Sequence, residues 1–313
     1  MTLRRNVALV IGFGSIGQRH ADVLRGMNLD VKVSSRRPVT EYDQCSIEKM
    51  IANYPDCYAV VATETSQHAQ DVWALYEAGH VGPLLVEKPL TITPNDPLPA
   101  LRNVAAVGFD LRFHPLLLSF RERLRDRTVY TVEAAVGQYL PDWRSNRDFH
   151  ESYSAKSEQG GGVIRDLSHE IDYLMWLFGP WRRLASLTGN TGLLEIDSEE
   201  YAHVLIRGEK VPALSLTMDY LDRPFRRYCR AQHDGGTTFL DFAAEHIIEN
   251  GKIVDQMSVP ADKVYADLHR NVLTAVGSPT ADIQFCDFNQ VQDVQKAIAA
   301  IETASKEERW VIL

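Results

Sequence analysis

Apolar positions along this chain follow two rhythms, and the change between them divides it. In the first hundred residues, short unbroken apolar runs alternate with stretches of helical spacing. Val7-Ala8-Leu9-Val10-Ile11, Cys57 to Ala62, Leu84-Leu85-Val86 and Val104 to Phe109 are such runs, and Leu29 to Ser35 alternates in the manner of a strand. Uninterrupted runs this short predict strands covered on both faces, as in parallel sheets. Between them, Ile16, His20, Val23 and Leu24 recur at helical spacing. Ile47 to Tyr54 reads as a short helix, and Ala69 to Ala78 as a longer one stopped by Gly79, with Thr65 or Ser66 as its N-cap. Strands alternating with helices predict a parallel sheet with right-handed crossovers.

From Pro115 the rhythm changes. Pro115 to Asp126 predicts an amphipathic helix, and Val129 to Tyr139 a strand. A polar, aromatic stretch then leads to Gly160-Gly161-Gly162 and a helix over Val163 to Phe178, stopped by Gly179-Pro180. Strand-like segments follow at Leu184–Leu187, Ala202–Arg207, Ala213–Tyr220, Arg226–Ala231, Thr237–Asp241 and His246–Ile248, then a helix over Phe288 to Ser305. Consecutive strands joined by Gly, Pro or Asp turns predict a mostly antiparallel sheet. The expected architecture is an α/β Rossmann domain over residues 1–112, followed by an α+β domain with a large open sheet over 113–313.

Composition narrows the function class. The chain has 313 residues, 45% hydrophobic and 24% charged, with a formal net charge of −9. That charge argues against nucleic acid as a partner. Cys45, Cys57, Cys229 and Cys286 lack metal or redox spacing, so reduced thiols in a cytoplasmic protein are expected, with no metal. The apolar run after Arg4-Arg5 is too short for a signal peptide, and no stretch suits a membrane span.

The chemistry begins at Gly12-Phe13-Gly14-Ser15-Ile16-Gly17, a G-x-G-x-x-G between a predicted strand and a predicted helix. Gly12 allows the sharp turn, Gly14 lets a pyrophosphate approach the backbone, and Gly17 permits close packing of the helix. The amides of Ser15, Ile16 and Gly17 at the helix start favour an anion. The second strand ends in Ser34-Ser35-Arg36-Arg37-Pro38, with no acid to bond both ribose hydroxyls. Ser35, Arg36 and Arg37 suit a 2′-phosphate, so NADP(H) is favoured over NAD(H). Thr63 and Glu87-Lys88 also fall at strand ends, where such sheets bind ligands. His68 is either a cofactor contact or a structural first-turn residue. Lys88 is well placed to handle a hydroxyl proton. Asp166, His169 and Asp172 fall on one helical stripe as an acid/base group, although Asp172 pairing with Arg165 or Arg182 is the alternative. Trp143, Arg144, Arg147, His150 and Tyr153, with Arg112 and His114, combine aromatic faces and basic groups suited to a sugar ring or its anionic substituents. Tyr153 is a second candidate proton donor.

These motifs together resemble the Gfo/Idh/MocA oxidoreductase family (glucose–fructose oxidoreductase, inositol dehydrogenase and relatives). The matching pieces are Gly12 to His20, Ala62-Thr63-Glu64-Thr65 with His68, Glu87-Lys88-Pro89, Gly108 to Pro115, the GGG-x-x-x-D segment with His169, and the C-terminal helix near Ala304-Ser305. The resemblance implies a Rossmann domain before an α+β domain, a substrate pocket ahead of the GGG turn, and Asp166 with His169 as the polar pair on the substrate side of the nicotinamide. It implies a hydride transfer between NAD(P) and a sugar, sugar nucleotide or cyclic polyol. Reduction of a conjugated ring, as in the family's biliverdin reductases and diol dehydrogenases, and a non-catalytic cofactor sensor are the alternatives. A homodimer or homotetramer through the open sheet is expected, with Leu205, Leu214, Leu216 and Tyr220 as its apolar contacts.

Overall fold

The computed structural model describes residues 6–94, 96–101, 103–143, 148–278 and 282–313. Two compact units form, one from Met1–Phe113 with Pro260–Val291, the other from His114–Val259 with Gln292–Leu313.

The first unit is built on a seven-stranded sheet in the order Cys286–Asp287, Ala105–Val107, Leu84–Val86, Tyr58–Val61, Val7–Ile11, Asp30–Ser34, Asp43–Gln44. Every neighbouring pair is parallel except the first. Val7–Ile11 and Tyr58–Val61 are buried along their whole length, as their unbroken apolar runs require. The chain enters at Val7–Ile11 and builds outward in both directions. The strand order therefore reverses there, which opens a crevice at the strand's carboxyl end.

Two elements of this unit come from late in the sequence and were not foreseen. The helix Ala261–Ala275 buries Val264, Leu268, His269, Val272 and Ala275 and packs on the helix Ser15–Gly26. Cys286–Asp287 adds the antiparallel edge strand. A single cut after residue 112 thus misplaces 260–291, because apolar positions at 264, 268 and 272 need a partner face and find it on the first unit. The expected N-caps Thr65 and Ser66 lie inside a helix, Thr65–Glu77, that starts from Glu64 with no side-chain cap.

The second unit is a nine-stranded sheet in the order Lys252–Gln256, His246–Glu249, Gly236–Asp241, Arg226–His233, Val129–Gly137, Ala213–Asp219, Tyr201–Gly208, Trp181–Gly189, Val311–Ile312. All pairs are antiparallel except Val129–Gly137 with Ala213–Asp219. Pro115–Leu124 packs on the strands from 236 to 256, and His169–Phe178 on Val129–Gly137. The pleat sorts the residues expected at an interface. Leu214, Leu216 and Tyr220 point inward and are buried, whereas Leu205 is 59% exposed, beside Ser215 and Ala185 on the outer face. Of the four, only Leu205 is available to a partner, because successive side chains of a strand alternate between faces.

No helix among the described residues is long and apolar enough to cross a membrane.

Candidate active site

In the first unit, the glycine turn has the geometry its sequence implies. Gly12 takes φ +91°, and a Cβ there would lie 2.6 Å from the Ala62 carbonyl oxygen. Its N–H donates to the Ser34 carbonyl at 2.9 Å, which ties the turn to the neighbouring strand. A Cβ on Gly17 would sit 2.1 Å from the Gly12 carbonyl, so the close contact is with the turn itself and not with the strand. Gly14 differs, since a Cβ there would meet nothing within 4 Å. Open space therefore faces the N-terminus of Ser15–Gly26, a helix with no acid in its first turn. The amides of Ser15, Ile16 and Gly17 precede the first helical bond, Gln18 N–H to the Gly14 carbonyl at 2.9 Å. Amides at a helix start, together with the helix dipole, suit an anion.

Beyond the second strand, the Ser35 hydroxyl accepts from the Arg37 N–H at 3.1 Å. The Gln44 amide donates to the carbonyls of Ser35 and Arg37 at 2.6 and 3.0 Å, and accepts from the Val39 N–H at 3.2 Å. The turn is braced from below, and Arg36 and Arg37 are left exposed. Arg36 also lies close enough to Asp71 to favour its ionised form, against burial, which lifts its pKa. Asp71 is further held by the Thr63 hydroxyl at 2.6 Å. Sequence reasoning missed Asp71 because it sits inside a helix, far from the strand tip in the sequence.

His68 is 1% exposed, with Nδ1 3.0 Å from the Pro89 carbonyl and Nε2 3.1 Å from that of Thr63. Its ring pins two strand-end turns together, and burial lowers its pKa. Both ring nitrogens face backbone carbonyls of the same unit, in keeping with the structural alternative. Lys88 is half-buried at the end of Leu84–Val86. Glu87 turns inward, where its carboxylate meets His20 Nε2 at 3.0 Å and the Lys88 N–H at 3.3 Å. Arg112 is 3% exposed, and its guanidinium donates to Gln290 Oε1 at 2.8 Å and to the Gln284 carbonyl at 3.4 Å. These bonds tie Arg112 to the returning segment.

In the second unit, the helix expected over 163–178 is two helices, Val163–Asp166 and His169–Phe178, separated by Leu167 at φ −100°, ψ 26°. Asp166, His169 and Asp172 therefore do not form one continuous stripe. Arg165 pairs with Glu302, and Arg182 lies 3.8 Å from Glu209. Glu170, fully buried, is held 2.9 Å from Arg227 Nε. Asp166 Oδ2 accepts from the buried Tyr220 hydroxyl at 2.7 Å. The Trp143 ring stands edge-on to Tyr220 with centroids 5.4 Å apart, and its Nε1 donates to the Gln138 carbonyl at 3.3 Å. Burial raises the Tyr220 pKa well above the ordinary phenol range, with Asp166, Tyr153 and Glu199 adding to the rise. Burial pushes Glu199 up to about 6, against the Ile164 amide, which donates to it at 3.1 Å, and against Arg165. Gly162, at φ +114°, leaves room for that carboxylate, since a Cβ there would lie 2.2 Å from it.

Trp143, Tyr153, Asp166, Tyr220 and Glu199 thus form one cluster at one end of two adjacent strands. Tyr220 and Glu199 were missed, although the acid pair Glu199-Glu200 just ahead of an alternating strand was a visible signal. His114 lies apart, its ring on Phe242 at 5.1 Å, and burial with Arg227 lowers its pKa to about 4. Arg144 and Arg147 lie outside the described residues.

Known proteins resemble this chain in part and in whole. A family model for the GFO/IDH/MocA C-terminal domain matches residues 128–223. An uncharacterized oxidoreductase, sll0816, of Synechocystis is 31% identical over 154 residues, a match spanning 46% of this chain and 40% of that protein. Among solved structures, levoglucosan dehydrogenase in complex with NADH and L-sorbose superposes with a TM-score of 0.78 at 16% identity, covering 99% of this chain and 98% of that one. The WlbA dehydrogenase of Bordetella pertussis, in complex with NADH and UDP-GlcNAcA, gives 0.78 at 18% identity over 100% and 99% of the two chains. A putative myo-inositol dehydrogenase of Sinorhizobium meliloti gives 0.72 at 16% over 98% of both. At these identities the structures establish the shared fold, a Rossmann-like parallel sheet with a large, mostly antiparallel second sheet. The family match itself is confined to residues 128–223, and the matched part of sll0816 is about two fifths of that protein's length.

Proposed function

We propose that this protein is a nicotinamide-dinucleotide-dependent oxidoreductase acting between carbinol and carbonyl forms of a sugar, sugar nucleotide or cyclic polyol. The observation that carries the reading is the open cradle at Gly14, at the N-terminus of a helix with no acid in its first turn, in the same sheet whose strand end bears Lys88. A dinucleotide fits there, because its pyrophosphate meets free amides and no side chain. When bound, it supplies the hydride acceptor or donor. The amides of Ser15, Ile16 and Gly17 hold the pyrophosphate. Ser35, Arg36 and Arg37 suit a ribose 2′-phosphate, which favours NADP(H), although the levoglucosan dehydrogenase and WlbA structures contain NADH.

Lys88 Nζ takes the hydroxyl proton in the oxidative direction and returns it in the reductive one. Asp166 and His169 are the polar pair of the second unit. Trp143 and Tyr153 offer aromatic faces to a carbohydrate ring, beside Asp166 and Tyr220. Two of the similar solved structures hold a sugar or a nucleotide sugar, which supports this substrate class. The outer face of the nine-stranded sheet, with Leu187 and Leu205 exposed, suits a homo-oligomer, and the compartment we assign is the cytoplasm.

The test is a screen of sugars, sugar nucleotides and cyclic polyols, following absorbance of the reduced cofactor. Lys88→Met is expected to abolish turnover and leave dinucleotide affinity within about two-fold, because the phosphates are held elsewhere. Near-native turnover in Lys88→Met would reassign the proton to Tyr153, Asp166 or His169.

A further inference from the structure

The first unit encloses a line of four polar side chains drawn from four separate elements. Tyr58 is on a central strand, His269 on the returning helix, His20 on the first helix, and Glu87 immediately before Lys88. His20 and His269 are fully buried, as is Tyr58, and Glu87 is 9% exposed. The Tyr58 hydroxyl lies 2.8 Å from His269 Nδ1, His269 Nε2 lies 3.0 Å from His20 Nδ1, and His20 Nε2 lies 3.0 Å from Glu87 Oε1. The other Glu87 oxygen receives the Lys88 N–H at 3.3 Å.

The donors and acceptors can be assigned from one end. A carboxylate only accepts, so His20 carries its hydrogen on Nε2. A neutral His20 then accepts at Nδ1, which requires the hydrogen of His269 to be on Nε2. His269 Nδ1 in turn accepts, and the Tyr58 O–H donates. The opposite direction would have His269 donate to the Tyr58 oxygen, leaving the phenol hydrogen to seek another acceptor. Among the described residues the hydroxyl has no contact other than His269. Burial holds the His269 pKa well below the ordinary range and raises that of Tyr58, in keeping with two neutral groups.

We propose that Tyr58, His269 and His20 form a one-directional hydrogen-bond chain that fixes the Glu87 carboxylate and, through it, the backbone at Lys88, so that the helix Ala261–Ala275 is a positioning element of the Lys88 site. The packing around Glu87 agrees with this. A Cβ on Gly108 would lie 2.4 Å from Glu87 Oε1, so the carboxylate occupies a slot that only glycine leaves open. Tyr265, from the same returning helix, closes the other side of His20, with ring centroids 5.2 Å apart at 74°. Hydrogen-bonded chains of this kind polarise one another, and losing one member weakens the rest.

The proposal rests on the role given to Lys88 above, and its test separates the two. Nitrogen-15 NMR of the full-length protein reads the tautomer of each histidine ring without any substrate. Both His20 and His269 are expected neutral, with hydrogen on Nε2. Hydrogen on Nδ1 of either ring overturns the chain. Tyr58→Phe removes only the terminal donor. It is expected to shift the Lys88 amide signal and to lower kcat by about tenfold, with KM and dinucleotide Kd within about two-fold of native. His269→Gln, whose amide N–H replaces the ring Nε2–H, is expected to recover most of the turnover that His269→Phe loses. Gly108→Ala is expected to reproduce the Tyr58→Phe effects by displacing Glu87, with every hydrogen-bonding group intact. An unchanged Lys88 amide signal in folded Tyr58→Phe and His269→Phe would refute the positioning role. Failure of the native protein to turn over any substrate counts against the proposed function alone, because the NMR results still decide the chain.

Discussion

The two glycines that flank Ser15-Ile16 should respond in opposite ways to a single methyl group. Gly14 has φ −81° and ψ −170°, a conformation open to any residue, and a Cβ there meets nothing. Gly14→Ala therefore gains from a less flexible unfolded chain and loses some N-cap preference. Both effects are of order 0.5–1 kcal/mol and opposed in sign, so stability stays within about 1 kcal/mol of native. The methyl group does fill the space in front of the helix amides. A pyrophosphate pushed outward loses one or two hydrogen bonds of a charged group, each contributing about 1.5–3 kcal/mol. Dinucleotide affinity should fall by roughly ten- to a hundred-fold or more. Gly17→Ala places a methyl carbon 2.1 Å from the Gly12 carbonyl, and backbone must move to admit it. That overlap should cost about 1–3 kcal/mol of stability, with weakened binding as a consequence. Thermal unfolding and fluorescence titration with the reduced dinucleotide measure the two quantities separately. Native-like affinity in Gly14→Ala would refute the assignment of the cradle.

Other expectations follow from the same geometry. The native protein should bind NADPH more tightly than NADH, with the margin narrowing in Arg36→Ala and Arg37→Ala; equal native affinities in titration would remove the 2′-phosphate reading. Glu199, raised to about 6, binds its proton more tightly when folded than unfolded. Its contribution is present below about pH 4.5 and lost as pH rises through 6, a decline of about 2 kcal/mol. Glu199→Gln should abolish that decline in denaturant titrations across pH 4–7, and an unchanged slope would place the group differently. Leu187→Asp and Leu205→Asp should dissociate an oligomer in sedimentation, and a monomeric native protein would contradict the interface.

Much of the first sheet was legible because strands buried on both faces must be uniformly apolar, as Val7–Ile11 and Tyr58–Val61 are. The glycine turn was legible because Gly12 and Gly17 have steric requirements that only glycine meets, while Gly14 keeps the space before the helix amides clear. The helix Ala261–Ala275 carried its signal in Val264, Leu268 and Val272, but its attachment to the first unit depends on a partner face that no local pattern encodes. The break at Leu167 was hidden because the sequence from Val163 to Phe178 has no Pro or Gly to mark it. Arg112 and His68 show the limit of reading residue type alone. Both have the chemistry of ligand contacts, and both direct it at backbone or side chains of their own unit. Tyr220 read as apolar interface area because sequence gives its strand but not its inward face or its bond to Asp166.

The route of the chain through the first unit has a consequence for synthesis. His20 meets a partner 249 positions further on, and the intervening 114–259 belong to another body. A nascent chain that has emerged as far as residue 113 carries Tyr58 and His20 without the helix that satisfies them, and the apolar side of Ser15–Gly26 without its cover. The Rossmann unit therefore cannot complete itself as the first-made half of the protein. It must wait in an open form until residue 275 leaves the ribosome, and the inserted stretch 114–259 in turn waits for 292–313, which belong to its own unit. A gene fragment ending near residue 113 should be poorly soluble, whereas one in which the inserted body is replaced by a short linker retains every element of the sheet.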